Sequence, residues 1–203
     1  MPQPPGSDSV PTPAPAPGGL VTGKTRGPTT PHLYTPDARR PLRAKRLRLS
    51  TDMRVVPHRH PYAQIALSAT GVVRMTMADG TFIVPPSRAL WIPAGVEHAV
   101  TVVEDCELLT LYLHQPRGRC GPRVAPGDKA PWRRCRVLEV SALLRALALE
   151  LDARPDAPGV APGAAELQRE RRLCALLYDE LRRARPVPLG IALPRDKRLR
   201  ALC

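Results

Sequence analysis

Three of the five histidines of this 203-residue chain fall within 41 residues: His58-Arg59-His60, followed by Gln64, and His98 at the end of Pro93-Ala94-Gly95-Val96-Glu97-His98. Neutral imidazoles bind Zn, Ni, Cu or Fe, and an amide oxygen can complete such a set. Side chains alternate in extended chain, so the even spacing of His58, His60 and Gln64 predicts that all three share one face. If the Pro93 turn brings His98 inward, four donors converge. With Gln64 in place of a carboxylate, a bound ion would keep its full charge, which lowers affinity and hinders redox or base chemistry. Two readings follow: a site for one divalent transition metal (Zn, Ni or Fe) at His58, His60, Gln64 and His98, or a set of groups that hydrogen-bond an effector or each other.

The elements around these residues read as short strands. Val73, Met75 and Met77 alternate with Arg74 and Thr76, Ala78-Asp79-Gly80-Thr81 is a hairpin signal, and Phe82–Val84 returns the chain. Ala89–Ile92, His98–Val102 and the alternation of Leu109, Leu111 and Leu113 complete a barrel or sandwich pattern. Ile65, Met75, Met77, Trp91 and Val100 are the expected pocket lining, with Leu67 and Leu111 beside them, which suggests an apolar or aromatic small molecule. Trp91 is also read as a packing residue.

The spacing resembles the cupin superfamily, whose first motif (H-x-H, Glu, Gly) is matched by His58, His60, Gln64 and Gly71, and whose second (P-x-G-x-x-H) by Pro93, Gly95 and His98. Gln64 replaces the usual Glu, Asp52 and Ser87 stand where each motif normally opens with Gly, and Val102 replaces the closing Asn. The words His58–Gln64 and Pro85–His98, with the tail from Leu193 to Cys203, are similar to AraC-family transcription regulators whose N-terminal half is a cupin. The resemblance implies a mainly β fold: a cupin double-stranded β-helix (jelly-roll barrel), then two α-helices. It also implies an effector-sensing and dimerisation domain that is not an enzyme. DNA is reached only through a helix-turn-helix domain, of which Pro194 onward would be the start, so the chain reads as a fragment or an interrupted product. The rival is a stand-alone metal-binding cupin enzyme of dioxygenase or isomerase type. It lacks an evident general acid, since Glu97 has outward parity and His114 reads as a rim residue.

Beyond Pro116 the period becomes helical. Val137–Leu151 carries Leu143, Leu147 and Leu151, and Ala164–Ala184 carries an apolar stripe of Leu167, Cys174, Leu177 and Leu181 with Arg169, Arg171, Arg172, Arg182 and Arg183 opposite. That stripe must pack on its own barrel or on a second subunit, and a homodimer is expected. The expected divisions are a disordered Pro/Gly-rich arm over 1–40, in which His32 and Tyr34 could act as a lid, a barrel over 41–134, a helical dimerisation segment over 135–186 and a linker over 187–203.

The net charge of +13 suggests nucleic acid, but residues 53–115 hold four Arg against five acids, and the excess lies at +5 before and +9 after them. One Phe, two Trp and four Tyr argue against stacking platforms for single strands and leave attraction to duplex phosphates open. Five Cys without a C-x-x-C pair argue against a disulfide framework or zinc knuckle, and no run of 18 apolar residues occurs. A soluble cytoplasmic protein without membrane contact is expected.

Overall fold

The computed structural model describes residues 20–21, 25–26, 31–151, 153–154 and 161–192. In chain order the strands are β1 (Leu20–Val21), β2 (Thr25–Arg26), β3 (Leu42–Leu49), β4 (Arg54–His58), β5 (Ala63–Thr70), β6 (Val73–Met77), β7 (Gly80–Val84), β8 (Arg88–Ile92), β9 (His98–Val102), β10 (Cys106–Leu113) and β11 (Arg136–Glu139). Helices α1 (Ala142–Glu150) and α2 (Ala164–Arg183) follow, then β12 (Pro186–Val187) and β13 (Gly190–Ala192). One sheet runs β1-β3-β10-β5-β8-β11-β12 and the other β13-β7-β6-β9-β4-β2. Among the described residues only the terminal pairs β1–β3 and β2–β4 are parallel. Facing sheets of this kind, with two helices on one outer surface, make the mainly β, cupin-type barrel that the motifs imply.

Alternation divides the core in two. Met75, Met77, Val100 and Val102 from one sheet meet Leu49, Ala66, Leu90, Ile92 and Leu108 from the other, filling the space between them. The opposite face of the larger sheet, with Leu42, Ile65, Leu67, Trp91, Leu109 and Leu111, is covered by α1 and α2 through Leu144, Leu147, Cys174, Leu177 and Leu181. Strands buried on both faces carry apolar residues at both parities. That is why β5, Ala63 to Ser68, is buried without a break.

The β6–β7 hairpin pairs Met77 with Gly80 across a two-residue turn, Ala78-Asp79, so the hairpin forms where the sequence signals it but Gly80 opens β7 and is not among the residues with positive φ. The helical reading of Val137–Leu151 is corrected: Val137 and Leu138 are strand β11, paired to β8, and the helix begins only after Ser141, whose hydroxyl accepts from the Leu144 amide at 2.9 Å. This shifts the buried stripe to Leu144, Leu147, Ala148 and Leu151 and leaves Leu143 51% exposed. The divisions move too. The barrel extends past 134 through β11, and β12 and β13 join both sheets within 187–203 and just before it. The arm contributes β1 and β2 to the sheet edges, and Tyr34, at the end of a 3-10 turn over Pro31–Tyr34, is buried against the barrel. The helix start expected at Pro194 lies outside the described residues.

The missing motif glycines leave a conformational trace. Asp52 and Ser87 both hold φ of 66°, beside Gly71 at 68° and Gly95 at 79°. A left-handed backbone is strained for residues with a Cβ. Ser87→Gly is therefore expected to stabilise the fold, by about 0.5–1 kcal/mol after the unfolded-state entropy of glycine is subtracted, read as a raised urea midpoint at unchanged m-value.

Candidate metal and effector site

The histidines converge by a different route from the one the spacing suggests. His58 ends β4 in one sheet, the chain crosses over at 59–62, and Gln64 lies on β5 in the other. Even spacing on one strand is therefore not what aligns them. His58 and His98 are cross-strand partners on β4 and β9, with ring centroids 4.3 Å apart, and the His60 ring lies 5.2 Å from that of His98. One ring nitrogen from each of His58, His60 and His98 falls within 4.8 Å of the others.

Each ring is oriented by a backbone carbonyl. Nδ1 donates to Val56 O from His58 (2.9 Å), to Tyr62 O from His60 (2.7 Å) and to Val96 O from His98 (3.0 Å). A carbonyl only accepts, so each Nδ1 carries the proton and each neutral ring keeps its lone pair on Nε2, which is the device that orients metal-ligating histidines. His98 is 1% exposed and its Nε2 has no hydrogen-bond partner among the described residues. His60 Nε2 lies 2.9 Å from Gln64 Oε1. Two acceptors cannot bond, so without an ion either the Gln64 amide is turned to donate its NH2 or His60 is protonated. A cation would satisfy both lone pairs. Three pre-oriented imidazoles and an amide oxygen fit a divalent transition metal.

Burial, with the neighbouring imidazoles adding to it, holds His98 down at about 4, and burial lowers His58 as well. A base with a depressed folded value binds fewer protons folded than unfolded. The metal-free protein therefore loses stability as pH falls from about 6.5 toward 4 and regains it above 6.5. Urea midpoints measured across that window, steeper in wild type than in His98→Phe, are the expected result.

Aromatic rings close one side. Tyr62 stacks on His60 at 4.4 Å, Tyr112 meets both edge-on, and Tyr34 joins that cluster. Behind the histidines lies a small cavity of about 40 Å³, lined by Lys45, His58, Gln64, Val100, Thr110 and Tyr112 among others. Of the expected lining, Met75, Met77 and Val100 face the barrel interior. Ile65 and Trp91 do not: their parity turns them under the helices, where Trp91 Nε1 donates to Trp132 O at 2.8 Å. Leu67 and Leu111 share that outer core. Cys174, Leu177 and Leu181 are also spent there, 3%, 0% and 0% exposed, with Leu167 half-buried at the near end, so this stripe packs on its own sheet and is not the dimer surface expected of it.

The site residue missed in the sequence is Lys45, 3% exposed on β3 opposite Thr110 of β10. Its parity with Leu47 and Leu49 was the available signal, hidden by the basic run Arg43–Arg48. Burial lowers its ammonium to about 8. Its Nζ also lies 5.4 Å from the centre of the Tyr34 ring.

No helix among the described residues is long and apolar enough to cross a membrane. Cys106, Cys120, Cys135 and Cys174 are all free thiols.

The chain is similar to several known proteins. A 124-residue stretch is 32% identical to the HTH-type transcriptional regulator NimR of Escherichia coli, covering 61% of this chain and 39% of the relative. The chain thus spans about two fifths of that relative's length. Among solved structures, a cupin-2 domain protein of Shewanella frigidimarina is 19% identical (TM-score 0.33, 36% of this chain, 72% of that one). KdgF of a Halomonas species is 21% identical (TM-score 0.36, 41% and 75%). Residues 45–183, most of the described barrel and both helices, match the AraC-like ligand binding domain, and the chain belongs to that family.

Proposed function

We propose that this chain is the effector-sensing part of an AraC-type, cytoplasmic transcription regulator, binding a small molecule in the barrel and acting without catalysis. The observation that carries this reading is the two-sided sheet. Gln64 and Tyr112 face the histidine site, while Ile65 and Leu111, their neighbours in sequence, are packed under the helices. An occupant that moves β5 or β10 must therefore move α2, and a regulator needs that coupling between pocket and helix. DNA contact belongs, on this reading, to a helix-turn-helix region such as the name of the curated relative indicates, and dimerisation to a surface other than the buried α2 stripe. One divalent Zn, Ni or Fe ion would be held by His58, His60, His98 and Gln64. The ion would supply a fixed positive charge toward the cavity.

The test is a fragment screen read by the methyl resonances of Met75 and Met77, which face the interior, followed by amide hydrogen exchange of α2. Compounds that shift the methyls and slow or speed exchange in Ala164–Arg183 are expected. Occupancy without any change in α2 would defeat the sensor reading.

A further inference from the structure

A second cavity, outside the barrel, lies where the segment after β10 meets α2. It holds about 280 Å³, against about 40 Å³ behind the histidines, and is lined by Pro41, His114, Arg119, Arg123, Val124 and Tyr178 among others. Small-molecule sites run from roughly 300 to 1,000 Å³, so this space takes a single ring or a short chain. The loop that walls it is pinned in place. Gln115 clamps Gly121, accepting from its amide at 3.0 Å and donating to its carbonyl at 3.4 Å. Gly121, at φ 95°, has no room for a Cβ against Trp132, and Arg182 of α2 donates to Pro122 O at 3.2 Å. Arg123 holds φ of 53°, with its guanidinium over the Tyr178 ring, 4.7 Å from the ring centre. A residue with a Cβ stays in the left-handed region only where its surroundings dictate it, and such positions cluster at binding sites.

Charge and apolar surface name the occupant. Arg119, Arg123 and His114 line the cavity, and no acid lines it among the described residues. The acids of α2 closest to Tyr178 in sequence are engaged elsewhere: Asp179 with Arg182 and Arg183, Glu180 with the Ser141 hydroxyl, Glu170 with Arg40. A guanidinium lying on an aromatic face still presents N–H donors in its own plane, the arrangement that a carboxylate accepts in pairs. Pro41, Val124 and the Tyr178 ring supply an apolar bed beside it.

We propose that this cleft is a second ligand site, for a small organic acid whose carboxylate is held by Arg123 and Arg119 and whose apolar body lies against Tyr178 and Val124. It is separate from the barrel and does not depend on what the barrel binds. Tyr178 also ties α2 to the residue before β3, its hydroxyl donating to Pro41 O at 3.3 Å, so an occupant acts on the contact between helix and barrel directly.

Benzoate and hexanoate are the probes, against benzamide and hexanamide at constant ionic strength. The methyl resonances of Val124 and Ala38, which also lines the cleft, report on it, and those of Met75 and Met77 report on the barrel. The carboxylates are expected to shift Ala38 and Val124, to leave Met75 and Met77 unmoved, and to bind about tenfold or more tighter than the amides. Arg123→Gly removes the guanidinium while relaxing the left-handed backbone, and is expected to weaken carboxylate binding by about tenfold or more. Ala38→Trp keeps both arginines but fills the cleft, and should abolish binding, so a folding failure of one variant leaves the other decisive. Amides that bind as tightly as carboxylates, carboxylate binding undiminished in both variants, or no shift at Ala38 and Val124 would each overturn the proposal. Shifts confined to Met75 and Met77 would overturn it too, and would leave the sensor reading of the barrel standing.

Discussion

Replacing His98 with alanine is expected to lower the zinc affinity of the chain by at least about 100-fold, more than loss of an outer-shell partner brings. The reason is geometric. His98 Nε2 is buried and has no hydrogen-bond partner among the described residues, so a metal gains that ligand with no competing bond to break there. The neighbouring carbonyls fix the tautomer of the His58 and His98 rings, so neither has to turn on binding, whereas His60 must first give up its contact with Gln64. His60→Ala should match it. Gln64→Glu should act in the opposite direction, strengthening zinc about tenfold or more, because a carboxylate at that position neutralises part of the ion's charge in a low-dielectric barrel. Competition against a chromophoric chelator gives all four affinities, with circular dichroism as the check on folding. Equal zinc content in wild type, His60→Ala and His98→Ala would exclude a metal held by this cluster.

The barrel was legible because its signals are local. Two-residue periodicity, the hairpin signal at Ala78–Thr81 and the paired motifs each specify a strand or a turn without reference to the rest of the chain. Burial on both faces was not. A strand such as β5 looks the same whether Ile65 or Ala66 points inward, so the expected pocket mixed true interior residues, Met75, Met77 and Val100, with Ile65 and Trp91 from the helix-covered side. Convergence of the histidines was anticipated for a reason that does not hold, since His58 and Gln64 sit in different sheets and the crossover at 59–62, rather than parity, brings them together. Lys45 is hidden in the sequence by the basic run around it, which reads as a solvated flank. Of the basic residues counted with the N-terminal flank, Arg43 and Lys45 are buried in a barrel strand.

Two neighbouring leucines decide whether α2 is a core helix or an exposed dimer seam. Leu177 is fully buried against the larger sheet, whereas Leu176, one position earlier, is 51% exposed. Leu177→Ala removes methyl groups from a closed contact and leaves a cavity, with an expected loss of about 3 kcal/mol in unfolding free energy. Leu176→Ala should fall within about 0.5 kcal/mol of wild type. Urea denaturation reads both, and light scattering after gel filtration reads the assembly state. A core residue lowers the midpoint equally at all protein concentrations and leaves the assembly state unchanged. A seam residue would instead make the midpoint depend on concentration and shift the mass, because subunit association then contributes to stability. That second pattern at Leu177 would refute the packing of α2 on its own barrel and, with it, the route by which an occupant of the histidine site reaches the helices.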